Sequence, residues 1–293
     1  MKLLLTLILA LVSFTSSATI PDKFTVYSSQ VSGLKNTFCR AIFEQYTKTY
    51  NATAVFEVKP GADGVIATEE LFHDKSFAVL CSGAAESIFN NFIYKGHEEA
   101  HAALNVVAII GYAQTVLYTG TGNKYDTLPE LLKNKKSILV GYNTTGLKLV
   151  AQKALEGHDV TWVPFKQASD ALPALMDGTL DMFTDAGILE PIAKGGKIKS
   201  LGYINGPSTT SGINLNATYK EAAKLKIFMA VTTSNTTNEA DVIEMNRRLS
   251  AIINSPELQK LGVTTGLTMF TGTLEDAREL ITHGRVQAAK MLK

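Results

Sequence analysis

Apolar residues along this chain fall into two periods, and the change from one to the other recurs over most of its length. Short runs rich in Val, Ile, Phe, Tyr and Thr read as strands: KFTVYSS at 23–29, ATAVFEV at 52–58, SFAVLCSG at 76–83, SILVGYN at 137–143, VTWVPF at 160–165, LDMFTD at 180–185 and KIFMAVTT at 226–233. Between them the spacing lengthens to that of a helix. Phe38, Ile42 and Tyr46 recur at every fourth position within 36–46, and Ala168, Leu172, Leu175 and Met176 share one face within 168–176. Strand and helix taking turns in this way predicts an α/β class, with parallel sheets covered by helices. After 233 the pattern changes, and helices over 239–254, 256–261 and 273–292 surround a short TMF strand at 268–270. No low-complexity stretch or flexible linker interrupts the order, so two lobes would be joined by strands running between them.

Two strand-to-helix junctions echo each other. VYSSQVSGLKNTF at 26–38 and LVGYNTTGLKLVA at 139–151 each give a strand, a polar loop, then Ser/Thr-Gly-Leu-Lys opening a helix. A looser pair sets VKPGADGVIATEEL at 58–71 against VPFKQASDALPALM at 163–176. In open parallel sheets, ligands bind beyond the carboxyl ends of the strands, at loops of this kind. A helix N-terminus carries unsatisfied N–H groups and about half a unit of positive charge, so a small polar loop ahead of it holds an anion without Arg or Lys. For one loop alone, the simpler reading makes Ser32, Thr145 and Ser169 ordinary N-caps of their own helices. Two matched loops, one from each half, point instead to a shared cleft.

The bulk numbers narrow the class further. With 293 residues, 45% of them hydrophobic, the chain can bury a substantial core in one large or two medium domains. A formal charge of +1 without a Lys/Arg run argues against a nucleic-acid partner. Lys2, the Leu-rich run Leu3–Phe14 and the small residues Ser16, Ser17 and Ala18 have the form of a secretory signal peptide over 1–18, with a mature chain starting near Thr19. The apolar run falls short of the ~20 residues that a bilayer crossing needs. In an oxidising compartment Cys39 and Cys81 either pair or remain two buried thiols. Asn-x-Thr sequons at Asn51, Asn143, Asn216 and Asn235 would matter only in a eukaryotic secretory route.

One rival chemistry is written in the sequence. HEEAH at 97–101 is a literal His-Glu-x-x-His, which on a helix places two imidazoles on one face for zinc, with Glu98 as general base of an exported zinc hydrolase. Its surroundings argue against that use. Leu104 and Val107 stand where an extended motif needs Gly and His, the next acidic residue is Asp126, and Gly96 sits where the helix should continue. Ser32 and Lys35 match Ser-x-x-Lys, but its companions Ser-Asp-Asn and Lys-Thr-Gly are missing, and Gly-x-Ser-x-Gly is absent too. His73, His158 and His283 are scattered and expected at the surface, while Trp162 is expected in a core strand. Neither an enzyme nor a cofactor is expected.

The chain resembles the substrate-binding proteins of tripartite tricarboxylate transporters, the Bug proteins, which are two-lobed, type II periplasmic binding proteins. The resemblance spans nearly all of the mature chain. It is carried by SGLKNTFCR at 32–40, where the family has a Gly-Gly pair, an Asp and an Arg at matching offsets, and by KPGADGVIA at 59–67, matching Pro-Gly-Ala-x-Gly. It also rests on VPFKQ at 163–167 with the later Gly178-x-x-Asp181, and on RLSAIINSPELQKLG at 248–262. It implies a Venus-flytrap fold with lobe 1 over 19–117 and 230–293 and lobe 2 over 118–229, each lobe a mostly parallel sheet flanked by helices. It further implies a periplasmic monomer that holds a small carboxylate between the lobes through backbone amides and waters, then presents it to a membrane permease. A ligand-sensing partner of a membrane kinase would use the same fold.

Carried over residue by residue, the resemblance selects Ser29, Ser32, Gly33 and Asn36 in the first loop, and Ser82, Gly83 and Ala84 after the third strand. From the second lobe it selects Asn143, Thr144, Thr145, Gly146 and Asp185. This chain departs from the family at several points: Ser32 replaces the first loop glycine, Gln167 the signature glycine, and TTSNTT at 232–237 a Pro-x-Gly-Thr-Pro-like segment. Asn36 stands at the family's Asp. An amide offers no charge to hold a ligand ammonium through water, so the expected ligand lacks an amino group: a di- or tricarboxylate or an aromatic acid.

Overall fold

The β-branched and aromatic runs form strands of two separate sheets, seen in a computed structural model that describes residues 18, 20–206 and 210–292. The expected signal peptide, apart from Ala18, and the start near Thr19 lie outside the described residues. The first sheet contains β1 (Lys23–Ser28), β2 (Thr53–Val58), β3 (Ala78–Gly83), β4 (Leu104–Ala113), β10 (Ile227–Ser234) and β11 (Thr268–Met269), in the order β11-β4-β10-β3-β1-β2. The second contains β5 (Thr115–Gly120), β6 (Ser137–Tyr142), β7 (Asp159–Pro164), β8 (Met182–Asp185) and β9 (Ile198–Ile204), in the order β7-β6-β8-β5-β9. Around the first sheet lie α1 (Leu34–Tyr50), α2 (Val65–His73), α3 (Asn90–Ile93), α4 (Glu98–Ala102), α10 (Glu239–Ile253), α11 (Pro256–Thr265) and α12 (Leu274–Met291). The second carries α5 (Leu128–Asn134), α6 (Thr145–Ala154), α7 (Ala168–Met176), α8 (Glu190–Lys194) and α9 (Lys220–Ala223).

Both sheets are mixed, where the sequence suggested mostly parallel ones. β1 runs parallel to β2 and β3, and β6 parallel to β7 and β8. The antiparallel partners are β4 and β10 in one sheet and β5 and β9 in the other. These strands carry the chain between the sheets. β4 and β5 are almost continuous through Gln114, and both are buried on both faces. Such a segment shows no polar alternation, so its period does not mark it as a strand pair. The chain leaves the first sheet at Gln114 and returns between Ile204 and Ile227. Leu117 and Ala230, the boundaries suggested by the sequence, lie inside β5 and β10.

Gln114 fills the crossing. It is 1% exposed, its Oε1 accepts a hydrogen bond from Thr210 Oγ1, and a Cβ on Gly187, Gly206 or Gly266 would collide with its side chain. Gly187 and Gly206 follow strands of the second sheet and Gly266 ends α11 of the first lobe, so one amide packs against both lobes.

Each lobe has its own core. In the first, Phe24 meets Phe43 and Tyr46 edge to face at 6.0 and 5.5 Å; in the second, Leu131, Val140, Val150 and Leu201 pack together. Trp162 lies on the edge strand β7, half-buried and not in the core, with Tyr142 at 6.1 Å and the Lys148 ammonium over its ring at 5.7 Å. His73, His158 and His283 are exposed.

Cys39 of α1 and Cys81 of β3 are disulfide-bonded, with Cα atoms 6.2 Å apart. The bond fixes α1 against the end of β3 and so ties together the two polar loops that follow β1 and β3. The bridged residues are 42 apart in sequence, which in the chain-entropy picture corresponds to about 4 kcal/mol of stabilisation. A Cys39→Ala/Cys81→Ala variant should lose stability of this order in denaturant unfolding, and reductant should destabilise the wild type but not the variant.

Candidate functional site

Each echoed loop meets the opposite lobe at the looser pair of junctions. Ser32 Oγ donates to Gln167 Oε1 at 3.3 Å, and the Thr145 N–H donates to Asp63 Oδ2 at 2.9 Å, both from one lobe to the other. A Cβ at Gly33 would come within 3.8 Å of Ile188 Cδ1, and one at Gly146 within 3.1 Å of Ile227 and 3.8 Å of Phe89. Gly33 precedes α1 at φ +98, a conformation that favours glycine, and its carbonyl accepts from both the N–H and the hydroxyl of Thr37 at 3.0 Å. Thr144 caps α6 by accepting from the Leu147 N–H at 3.4 Å. The N-cap positions are therefore Gly33, Thr144 and Gln167, each displaced by one or two residues from the Ser32, Thr145 and Ser169 of the simpler sequence reading.

Beneath the first loop lies a carboxylate that the sequence reading does not single out. Glu86, in a π-helical turn over Ala85–Phe89 directly after β3, is 1% exposed. Its Oε1 pairs with Lys35 Nζ and accepts from Ser29 Oγ at 2.8 Å, while its Oε2 accepts the Gly83 N–H at 3.0 Å. Lys35 also donates to Ser29 Oγ at 2.8 Å. Ser29 and the Gly83 amide are thus turned inward. Ser82 is fully buried and accepts from Thr232 Oγ1 at 3.1 Å, so its side chain faces β10; Ala84 is buried beside it. Asn36 donates from Nδ2 to the Val31 carbonyl at 3.0 Å and leaves Oδ1 buried without a partner. The parallel lysine of the second loop, Lys148, lies over the rings of Tyr142 and Trp162.

The second lobe repeats the theme. Asp185 is fully buried, and its Oδ2 accepts the N–H groups of Gly187 at 2.9 Å and Leu189 at 3.1 Å, while Oδ1 has no partner. Burial raises its pKa, and these backbone N–H groups oppose the rise. Asn143 Oδ1 is another buried, unpartnered oxygen. The Thr145 N–H is met by Asp63, whose carboxyl is pushed up first by burial and then by the Glu86 charge, against the pull of Thr145. Burial and the Asp63 charge also raise the pKa of Tyr94.

HEEAH does not assemble a metal site. Gly96 at φ +87 ends the preceding turn, so α4 begins only at Glu98 and His97 stands outside it as N-cap. His97 Nδ1 meets Glu69 Oε1 at 2.8 Å, whereas His101 is fully buried with Nδ1 2.9 Å from the Glu86 carbonyl. Glu98 accepts the Gly96 N–H at 2.7 Å. Among the described residues no three His, Cys, Asp or Glu side chains gather as metal ligands. The two imidazoles of the motif are thus engaged by different partners, Glu69 and the Glu86 carbonyl.

Comparisons with known proteins agree with the geometry. No family model matches the chain. Over 278 residues it is 22% identical to a UPF0065 protein of Bordetella bronchiseptica, covering 87% of this chain and 80% of that protein. MatC from Rhodopseudomonas palustris, solved with bound malate, superimposes with a TM-score of 0.80 at 15% identity, over 94% of this chain and all of that one. The periplasmic binding protein BugD gives a TM-score of 0.77 at 16% identity, over 93% and 97% of the two chains. Two mixed sheets, flanked by helices and joined by crossing strands, thus define a two-lobed, type II periplasmic-binding-protein fold. Within that class its sequence is similar to the UPF0065 protein and its fold to that of BugD.

Burial disfavours ionised Glu86, but the Lys35 charge and the hydrogen bonds prevail and its pKa lies below the usual carboxylate value. A depressed acid contributes stability above its unfolded pKa and loses it as pH falls through the folded one. Replacing Glu86 by Gln leaves Lys35 buried without its counter-charge and should cost about 3–5 kcal/mol near neutral pH. Denaturant unfolding should show that this deficit narrows on acidification, because the wild type then protonates Glu86 and loses the same pair.

Proposed function

We propose that this protein captures a small carboxylate in the cleft between its lobes and, in the periplasm, delivers it as a monomer to the membrane permease of a tripartite tricarboxylate-type transporter. What supports this reading is the pair of contacts between the lobes at these loops, Ser32 before α1 with Gln167 and Thr145 at the start of α6 with Asp63. Carboxylate binding there uses charge-assisted hydrogen bonds from backbone N–H groups, which strengthen as closure removes water. Capture by closure needs no bond to form or break. The malate bound to MatC supports the ligand class.

The contacts we assign to the ligand are the first-loop residues Ser29, Ser32, Gly33 and Asn36, the 82–84 turn, the 143–146 loop and Asp185. Ser82 and Ser29 contribute through position, since their hydroxyls are engaged inside lobe 1. Asn36 stabilises the first loop through Val31 and presents no charge, which favours ligands without an ammonium group.

Calorimetric titration should give tighter binding for malate, succinate, citrate or an aromatic acid than for aspartate or glutamate; the reverse order would refute the assignment. A ligand at a hundredfold over its Kd adds about 2.7 kcal/mol to stability, visible as a rise in melting temperature. That rise should disappear in Gly33→Leu, where a side chain is forced into a left-handed conformation, and in Gly146→Leu, where it meets Ile227 and keeps the lobes apart.

A further inference from the structure

The N-terminus of α6 is where lobe 2 would receive a ligand anion, yet the group meeting it is a carboxylate of lobe 1. Asp63 Oδ2 accepts the Thr145 N–H at 2.9 Å. It reaches that position from strained backbone: Ala62 has φ +45 and Asp63 has φ +51 and ψ +37, left-handed values that non-glycine residues rarely adopt. Asn90 Nδ2 clamps the turn by donating to the Asp63 carbonyl at 2.9 Å. The carboxylate is also buried and stands near a second one, Glu86, whose charge acts against its ionised form while Thr145 and Lys35 favour it. Strain, burial and like charge all oppose placing Asp63 here, and its contact lies in the other lobe. A residue held against such costs serves the relation between the lobes and not the folding of its own.

We propose that Asp63 is a tethered stand-in for a ligand carboxylate: it draws the lobes together in the unliganded protein, and a ligand binds by replacing it at the N–H of Thr145. The second half of this statement rests on the carboxylate reading above; the first half does not. Replacement makes Asp63 a determinant of specificity. Only a ligand whose anionic end reaches Thr145 recovers the lost charge–dipole contact, so diacids are favoured over monoacids with an uncharged tail. It also lowers apparent affinity, because part of each binding event is spent on displacing a group already in place.

Asp63→Gly removes the carboxylate and suits the left-handed backbone, and Asp63→Asn keeps the shape while removing the charge; circular dichroism and melting curves establish that both are folded. Small-angle X-ray scattering without ligand should find the wild type closed and Asp63→Gly expanded, with malate restoring compaction, and Asp63→Asn between the two. Calorimetry should show malate binding Asp63→Gly tenfold or more tighter than the wild type. Identical scattering from unliganded wild type and Asp63→Gly would overturn the latch, and equal or weaker malate binding by Asp63→Gly would overturn the exchange. If malate binds neither protein, the proposed ligand class and the exchange both fail, while scattering still decides whether Asp63 closes the lobes.

Discussion

A buried N–H group must find an acceptor, and around the cleft of this protein the acceptors are carboxylates of the chain itself. Glu86 answers Gly83, Asp185 answers Gly187 and Leu189, and Asp63 answers Thr145. The first of these organises lobe 1. Through Ser29, Lys35 and Gly83, Glu86 joins the end of β1, the first turn of α1 and the end of β3 into one unit, and the Cys39–Cys81 bond fastens the same elements one layer below. Asp185 does the corresponding work after β8. Each lobe therefore has a strand-to-helix loop fixed by a buried carboxylate, and of the three carboxylates Asp63 alone bonds across to the other lobe.

The proposed closure requires a change in how the lobes sit against each other about a few crossing segments. One crossing is made by β4 and β5, almost continuous through Gln114, and the other by the segment between β9 and β10. At Gln114 one buried amide is packed against glycines of both lobes, so a change in lobe position has to be accommodated around a single well-filled point. Small residues at 187, 206 and 266 are what leave room for it.

Much of this architecture is written in the order of apolar residues. All seven runs read as strands from β-branched and aromatic content are strands, and the helices at 36–46, 168–176 and after 239 fall where their spacing puts them. β4 and β5 escape because full burial removes the polar alternation, and β9 because Lys199, Ser200 and Gly202 interrupt its apolar character. The reversed directions belong to β10 against β3 and β5 against β8; β10 is legible as a strand, but its direction is not, because apolar spacing carries no direction. The disulfide needed a Cα separation that spacing along the chain does not fix. HEEAH misleads because a motif carries no record of where its helix begins, and Gly96 delays that start past the first histidine. In the site, the echoed loops are legible because Ser/Thr-Gly-Leu-Lys recurs. Glu86 and Asp63 are not, because nothing local in AAES or GADG says that these side chains turn inward or across to another lobe.

The placement of Asp63 gives ligand entry a definite electrostatic consequence. In the proposed exchange a carboxylate that replaces it keeps an acceptor at the Thr145 N–H, so the start of α6 is served throughout. What changes is the fate of Asp63 itself. Burial and the neighbouring Glu86 hold its carboxyl above the ordinary range, and release into water removes both penalties. That gain offsets part of the loss of the Thr145 contact. Selectivity in this proposal comes from competition between two anions for one N–H, and is set by where a ligand's second charge falls.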